Sequence, residues 1–111
     1  MKEVGQTGAI YIVNTTESSL VKAERMAKKL LEKKVAFCVN IFECSSFYYW
    51  EDSLNSEKEF KIIIKSDKSK LDKLLVLIKL LHSYDLPEIS YWQANTTKDY
   101  HDWALKSLSS I

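Results

Sequence analysis

The chain has 111 residues, with 16 Lys and Arg against 15 Asp and Glu and a formal charge of +1. That length fits one domain, and the near-neutral balance with scattered lysines argues against a nucleic-acid footprint. Glycine occurs only at Gly5 and Gly8, which excludes P-loop and Rossmann phosphate cradles, and no apolar run approaches the ~20 residues of a membrane span.

Residues 1–8 are small and polar and read as a flexible N-terminus, followed by one domain over residues 9–111. The start MKEVGQTGAI has no apolar h-region, so a cytoplasmic location is expected. Residues 9–15, AIYIVNT, are β-branched and aromatic and predict a strand. TTESS then offers N-cap residues for a helix with apolar positions at Leu20, Ala23, Met26, Ala27, Leu30 and Leu31. VAFCVNIFECSSFYYWED follows with almost no breaker. As one strand, residues 37–49 would span about 40 Å at ~3.3 Å per residue. The segment is either one long, bent strand or two strands joined by a bulge near residues 44–46. EDSLNSE has hairpin-loop composition, with Glu51 and Asp52 opening it. Residues 57–66 alternate, with Phe60, Ile62 and Ile64 on one face. Ser69 with Asp72 reads as the capping box of a second helix, whose stripe is Leu71, Leu74, Leu75, Ile78 and Leu81, widened by Leu77 and Leu80. Residues 87–95 predict a last strand. Thr96 with Asp99 caps a short helix carrying Tyr100, Trp103, Ala104 and Leu108.

The order β-α-β-β-α-β plus one helix is that of an α+β, ferredoxin-like domain with an antiparallel sheet and two main helices on one face. Two helices shield only one side of such a sheet. Yet the strands are apolar on both sides: Ile10 and Ile12 oppose Tyr11 and Val13, Phe47 and Tyr49 oppose Tyr48 and Trp50, and Ile89 and Tyr91 oppose Trp92 and Ala94. The uncovered set would exceed the patch a monomer tolerates. Self-association is the simplest cover, with Tyr49, Trp50 and Trp92 in the interface. The terminal helix, folded back, would shield only part of it. Cys38 and Cys44 read as reduced thiols. No CxxC, HxxxH or HExxH is present, and neither His82 nor His101 lies near a nucleophile-and-orienter set in sequence. Neither a tight zinc site nor an enzyme is expected.

Five segments occur in series: Phe37-Cys38-Val39-Asn40-Ile41, Tyr48-Tyr49-Trp50-Glu51, Glu57-x-Glu59-x-x-Ile62-Ile63-Ile64-Lys65-Ser66, His82-x-Tyr84-x-x-Pro87-Glu88-Ile89 and Tyr100-x-x-Trp103. Together they resemble the CutA divalent-cation tolerance family over residues 9–108. The resemblance implies a homotrimer of ferredoxin-like subunits with their sheets packed at the centre. It implies a role in divalent-metal response, with Cu(II) or another divalent cation weakly bound and not needed for folding. The family-matched soft ligands are His82 and Cys38, with Glu88 the nearest matched carboxylate. Cys44, Glu51, Asp52, Glu57, Glu59 and His101 are further donors by residue type. The family is also similar to PII signalling proteins, and the alternative it implies is a small-molecule sensor without a metal. Tyr48, Trp50, Glu59, Lys65 and Tyr84 would then line an intersubunit cleft. Four positions depart from the family pattern. Asn14-Thr15-Thr16 lacks the early thiol, Glu43-Cys44 replaces Pro-Gly, Asp52 replaces a glycine and Ser83 replaces a proline.

Overall fold

A computed structural model describes residues 5–109. Along the chain run β1 (Thr7–Glu17), α1 (Leu20–Glu32), β2 (Cys38–Trp50), β3 (Ser53–Ser66), α2 (Lys68–Leu81), β4 (Ser90–Thr97) and α3 (Lys98–Leu108). The sheet order is β2-β3-β1-β4, and every neighbouring pair is antiparallel. This is the ferredoxin-like α+β arrangement that the sequence predicts. No helix among the described residues is long and apolar enough to cross a membrane.

The helices begin and end for local reasons. Ser19 caps α1 by accepting from the Lys22 N–H. At its C-terminus the Lys34 N–H donates to the Leu31 carbonyl and the Val35 N–H to the Leu30 carbonyl. That pair of bonds is a Schellman motif, and it places Lys34 at φ 58, where glycine is the usual residue. The cap of α2 is Asp67, which accepts from the Ser69 N–H and hydroxyl. This corrects the Ser69–Asp72 capping box: a side chain one residue before the helix reaches the orphan N–H, whereas Ser69 is already inside the first turn. In the predicted stripes Leu20, Leu31 and Leu80 are exposed, because the sheet is narrower than the apolar arc of either helix.

β2 is a single strand without a bulge. Its pairing with β3 runs unbroken from Cys38 opposite Lys65 to Trp50 opposite Ser53. The turn is Glu51 and Asp52 alone, at φ 51 and 64. Two positive φ values are what a two-residue hairpin turn requires to match strand twist. EDSLNSE is therefore not a loop, since β3 already begins at Ser53. β1 likewise begins at Thr7, paired with Thr97, so Thr7 and Gly8 belong to the sheet rather than to a flexible N-terminus. Residues 1–4 lie outside the described residues. Gly8 is needed there, because an added Cβ would lie 2.3 Å from His101 Cγ on α3.

The main core lies between the sheet and α1 and α2. Val13, Ile62 and Ile64 from the sheet meet Met26, Leu30, Leu74 and Ile78 from the helices. A second, smaller core lies on the other face, where α3 brings Ala104 and Leu108 against Ile10 and Phe37. The chain thus shields part of its second face itself. Trp92 and Trp103 remain about half exposed.

β3 pairs with β1 only from Phe60 onward. Residues 53–59 pair with β2 alone, so residues 44–59 form a two-stranded ribbon projecting beyond the sheet. At ~3.3 Å per residue the overhang is about 23 Å, within a longest molecular dimension of 49 Å. Both faces of the ribbon carry exposed apolar groups: Phe47, Tyr49 and Leu54 on one, Tyr48 and Trp50 on the other.

Candidate functional site

The ribbon does not stand clear of the chain on both sides. On the face opposite α1 and α2, it and the segment of residues 84–88 enclose a cleft of about 790 Å³. The period of two along a strand puts Cys44, Ser46, Tyr48 and Trp50 on this face. Their register partners Glu59, Glu57, Asn55 and Ser53 share it. Thr16 and Lys61 form the inner end, and Tyr84, Asp85, Leu86 and Glu88 the opposing wall.

Glu59 is the best buried carboxylate in the cleft, only 8% exposed. Burial pushes its pKa up, but hydrogen bonds from the hydroxyls of Ser46, Tyr84 and Thr16 outweigh that, and the group stays below the ordinary carboxylate value. The Tyr84 hydroxyl donates to Glu59 Oε2 at 2.6 Å. Burial first, then this bond and the Glu59 charge, push the Tyr84 phenol well up, so it remains a donor. The Tyr48 hydroxyl is turned toward Glu57, which raises its pKa too. Glu88 accepts from Asn14 Nδ2 at 3.1 Å and from the Ser90 hydroxyl at 2.9 Å, and lies 3.7 Å from Lys61 Nζ. Asn14 Oδ1 is buried and has no partner among the described residues.

Behind the cleft lies a second polar group, which is fully buried. Glu17 accepts from the backbone N–H of Ser18 at 3.0 Å, the N–H of Ser83 at 2.9 Å and the Ser83 hydroxyl at 2.6 Å. Burial raises its pKa, and the two Ser83 bonds, the Ser18 bond and the nearby His82 together lower it below the ordinary value. His82 is the C-cap residue of α2. Its Nδ1 accepts from the Tyr84 N–H at 3.1 Å, so in the neutral ring the proton sits on Nε2 and points to Thr15 Oγ1 at 3.1 Å. Tyr84 therefore joins the two groups: its backbone holds His82 and its hydroxyl holds Glu59.

The structure brings together four of the five predicted cleft residues, Tyr48, Trp50, Glu59 and Tyr84. Lys65 is not among them. It lies six residues further along β3 from Glu59, about 20 Å at ~3.3 Å per residue, with Nζ 5.8 Å from the centre of the Tyr100 ring. Nor do the predicted metal ligands converge. Both nitrogens of His82 are engaged inside the chain, Cys38 packs beside the α3 core and Glu88 faces the cleft. No three His, Cys, Asp or Glu side chains among the described residues are placed to hold a metal ion. The described residues of one chain therefore do not fit a copper site. Cys38 and Cys44 are both free thiols. Of the expected interface residues, Tyr49 is 74% exposed on the outer face of the ribbon, while Trp50 and Trp92 share the opposite face. Sequence reasoning did not foresee Glu17, Asp85 or Lys61. Glu57 was legible only as a donor type, because its side of the ribbon depends on a register set by the two-residue turn.

The profile of the family described as CutA1 divalent ion tolerance protein matches residues 11–107. The divalent-cation tolerance protein CutA of Archaeoglobus fulgidus is 42% identical over 95 residues, covering 85% of this chain and 90% of that protein. A structure described as the periplasmic divalent cation tolerance protein CutA from the same organism superposes with a TM-score of 0.86 at 37% identity, over 90% of this chain and 99% of that one. CutA from Synechococcus elongatus PCC7942 superposes with a TM-score of 0.90 at 28% identity, over 96% and 98% of the two chains.

Proposed function

The chain belongs to the CutA1 divalent ion tolerance protein family, and from that premise we propose that it serves divalent-cation tolerance without catalysis, as a homotrimer that binds a ligand in its cleft. One observation carries the assembly: among the described residues an aromatic ribbon about 23 Å long, at ~3.3 Å per residue, has no third strand beside it and no helix upon it. An isolated ribbon of this kind is marginal in water, and its exposed aromatics each offer ~150–250 Å² to a partner. The outer edge of β2 adds a row of unpaired backbone groups suited to a neighbouring strand. The ligand reading is supported by the convergence of Tyr48, Trp50, Glu59 and Tyr84 on one cleft. In this reading the chain is a sensor in the manner of PII proteins. Cu(II) uptake, where it occurs, is weak and draws donors from more than one copy, because His82 is already engaged within its own chain. We place the protein in the cytoplasm; its recovery in a periplasmic fraction would move it.

The test is sedimentation of the double variant Tyr49→Ala, Trp50→Ala. Loss of two aromatic anchors weakens self-association by at least tenfold, by the usual size of interface hot spots. Circular dichroism should meanwhile show the sheet and helices unchanged. A variant that sediments like the parent at every concentration removes the ribbon from the interface.

A further inference from the structure

We infer that the cleft is an organic-cation site, taking an ammonium or guanidinium group carried on an apolar stem. The inference rests on the cleft being a ligand site and names the chemistry of that ligand. Charge comes first. Glu57, Glu59, Asp85 and Glu88 line the cleft against one basic residue, Lys61, which is already beside Glu88 at 3.7 Å. Among the described residues, Glu57, Glu59 and Asp85 have no cation within ion-pair distance. Glu59 is the sharpest case, a carboxylate more than nine-tenths buried whose hydrogen-bond partners are hydroxyls. Its hydrogen bonds keep Glu59 ionised, so the cleft presents a fixed negative charge with no cation in ion-pair contact, and an incoming cation would be drawn to it.

Donors come second. The Tyr84 hydroxyl donates to Glu59 Oε2 at 2.6 Å, and Asn55 Nδ2 donates to the Ser53 carbonyl at 2.9 Å. These polar protons are already directed to acceptors within the chain. A phosphate or carboxylate would meet four carboxylates against a single lysine that is already beside Glu88. The walls come third. Tyr48 sits next along the cleft face from Ser46 and Glu57, and Trp50 carries the aromatic surface on toward the ribbon tip, so an apolar stem can extend away from the acidic end. A bare Ca²⁺ or Mg²⁺ needs about six oxygens in one cage, and no trio of metal-binding side chains is placed to begin one. The volume, about 790 Å³, suits a small molecule or one long side chain. The cation can thus be a free amine or a Lys or Arg side chain of the neighbouring copy.

Calorimetric titration of the assembled protein with n-butylammonium and agmatine, against butyrate and butanol as controls at constant ionic strength, tests the idea. Glu59→Gln keeps the shape and removes the charge, and Glu57→Gln guards against a folding defect in the first variant. Glu43→Gln, whose side chain pairs with Lys58 on the other face, is the control. Saturable binding of the cations, weakened at least tenfold by Glu59→Gln and unchanged by Glu43→Gln, supports a free-amine site. No cation binding, together with a self-association constant weakened at least tenfold by Glu59→Gln or Glu57→Gln but not by Glu43→Gln, supports a basic side chain of the neighbouring copy. Binding of butyrate or butanol instead of the cations overturns the cation chemistry and leaves the ligand cleft standing. Neither probe binding nor any effect of the glutamate variants overturns both.

Discussion

The two ends of the β2–β3 pair are built from the same kind of sequence and lead different lives. At one end Ile62 and Ile64 lie under α1 and α2 and are fully buried. At the other, Phe47, Tyr49, Trp50 and Leu54 extend the same two strands with no helix or further strand among the described residues packed on them, and all are more than half exposed. Residue type does not distinguish them, since both ends are β-formers with apolar side chains on alternate positions. What differs is the neighbour. One end is stabilised within its own chain, and the other is the end that the proposed assembly would cover.

Several substitutions would break or sharpen that contrast. The largest effect belongs to the covered end: Leu74→Ala leaves a cavity at a fully buried position of α2 and should cost about 2–5 kcal/mol in denaturant unfolding. A truncation that costs nothing would mean that the helices do not hold this end. Gly8→Ala comes next. The new Cβ would collide with the base of the His101 side chain, and overpacking of this kind costs about 1–3 kcal/mol. The added substitution His101→Ala should recover part of the loss if the contact is the cause.

Glu17 gives a pH-dependent version of the same comparison, because it is buried at the covered end. Its folded-state pKa lies below the ordinary value of 4.5. Its contribution is therefore fully present above about pH 4.5 and is lost as pH falls through the folded value. Glu59 has the same sign. Below about pH 4.5 the parent should lose stability more steeply with falling pH than Glu17→Gln, which has no such charge to protonate. Equal slopes would show that Glu17 does not gain from its Ser83 bonds. The smallest effect belongs to the far tip of the ribbon. Asp52→Gly relieves a positive φ at the turn and should raise stability by about 0.5 kcal/mol or slightly more, since a glycine gains most where L-residues are strained. A loss of stability would mean that the Asp52 side chain itself holds the turn.

Much of the fold is legible in the sequence itself. The alternation of residues 57–66, the helical spacing from Leu20 and from Leu71, and the proline at Pro87 lead to the element order with little ambiguity. Strand parity also revealed that both sheet faces are apolar. The hairpin was harder, because Glu51-Asp52 is not the Asn-Gly pair that marks a tight turn, while the polar run Ser53–Glu57 has loop composition although its backbone pairs with the aromatic strand. Without that register, Glu57 and Glu59 could not be placed opposite Ser46 and Cys44. Glu17 was hidden for another reason: its partner Ser83 lies 66 residues away, and nothing in the sequence near Glu17 distinguishes it from a solvated residue. Lys65 shows the converse. It matches a motif residue by residue, yet the length of its strand carries it away from the cleft.

The most direct measurement is the mass of the parent protein in dilute, near-physiological buffer, by analytical ultracentrifugation with circular dichroism on the same sample. A folded species at about 39 kDa, three times the 12.9 kDa chain, is the result expected if copies cover one another's ribbons. A folded, soluble species at 12.9 kDa would contradict it.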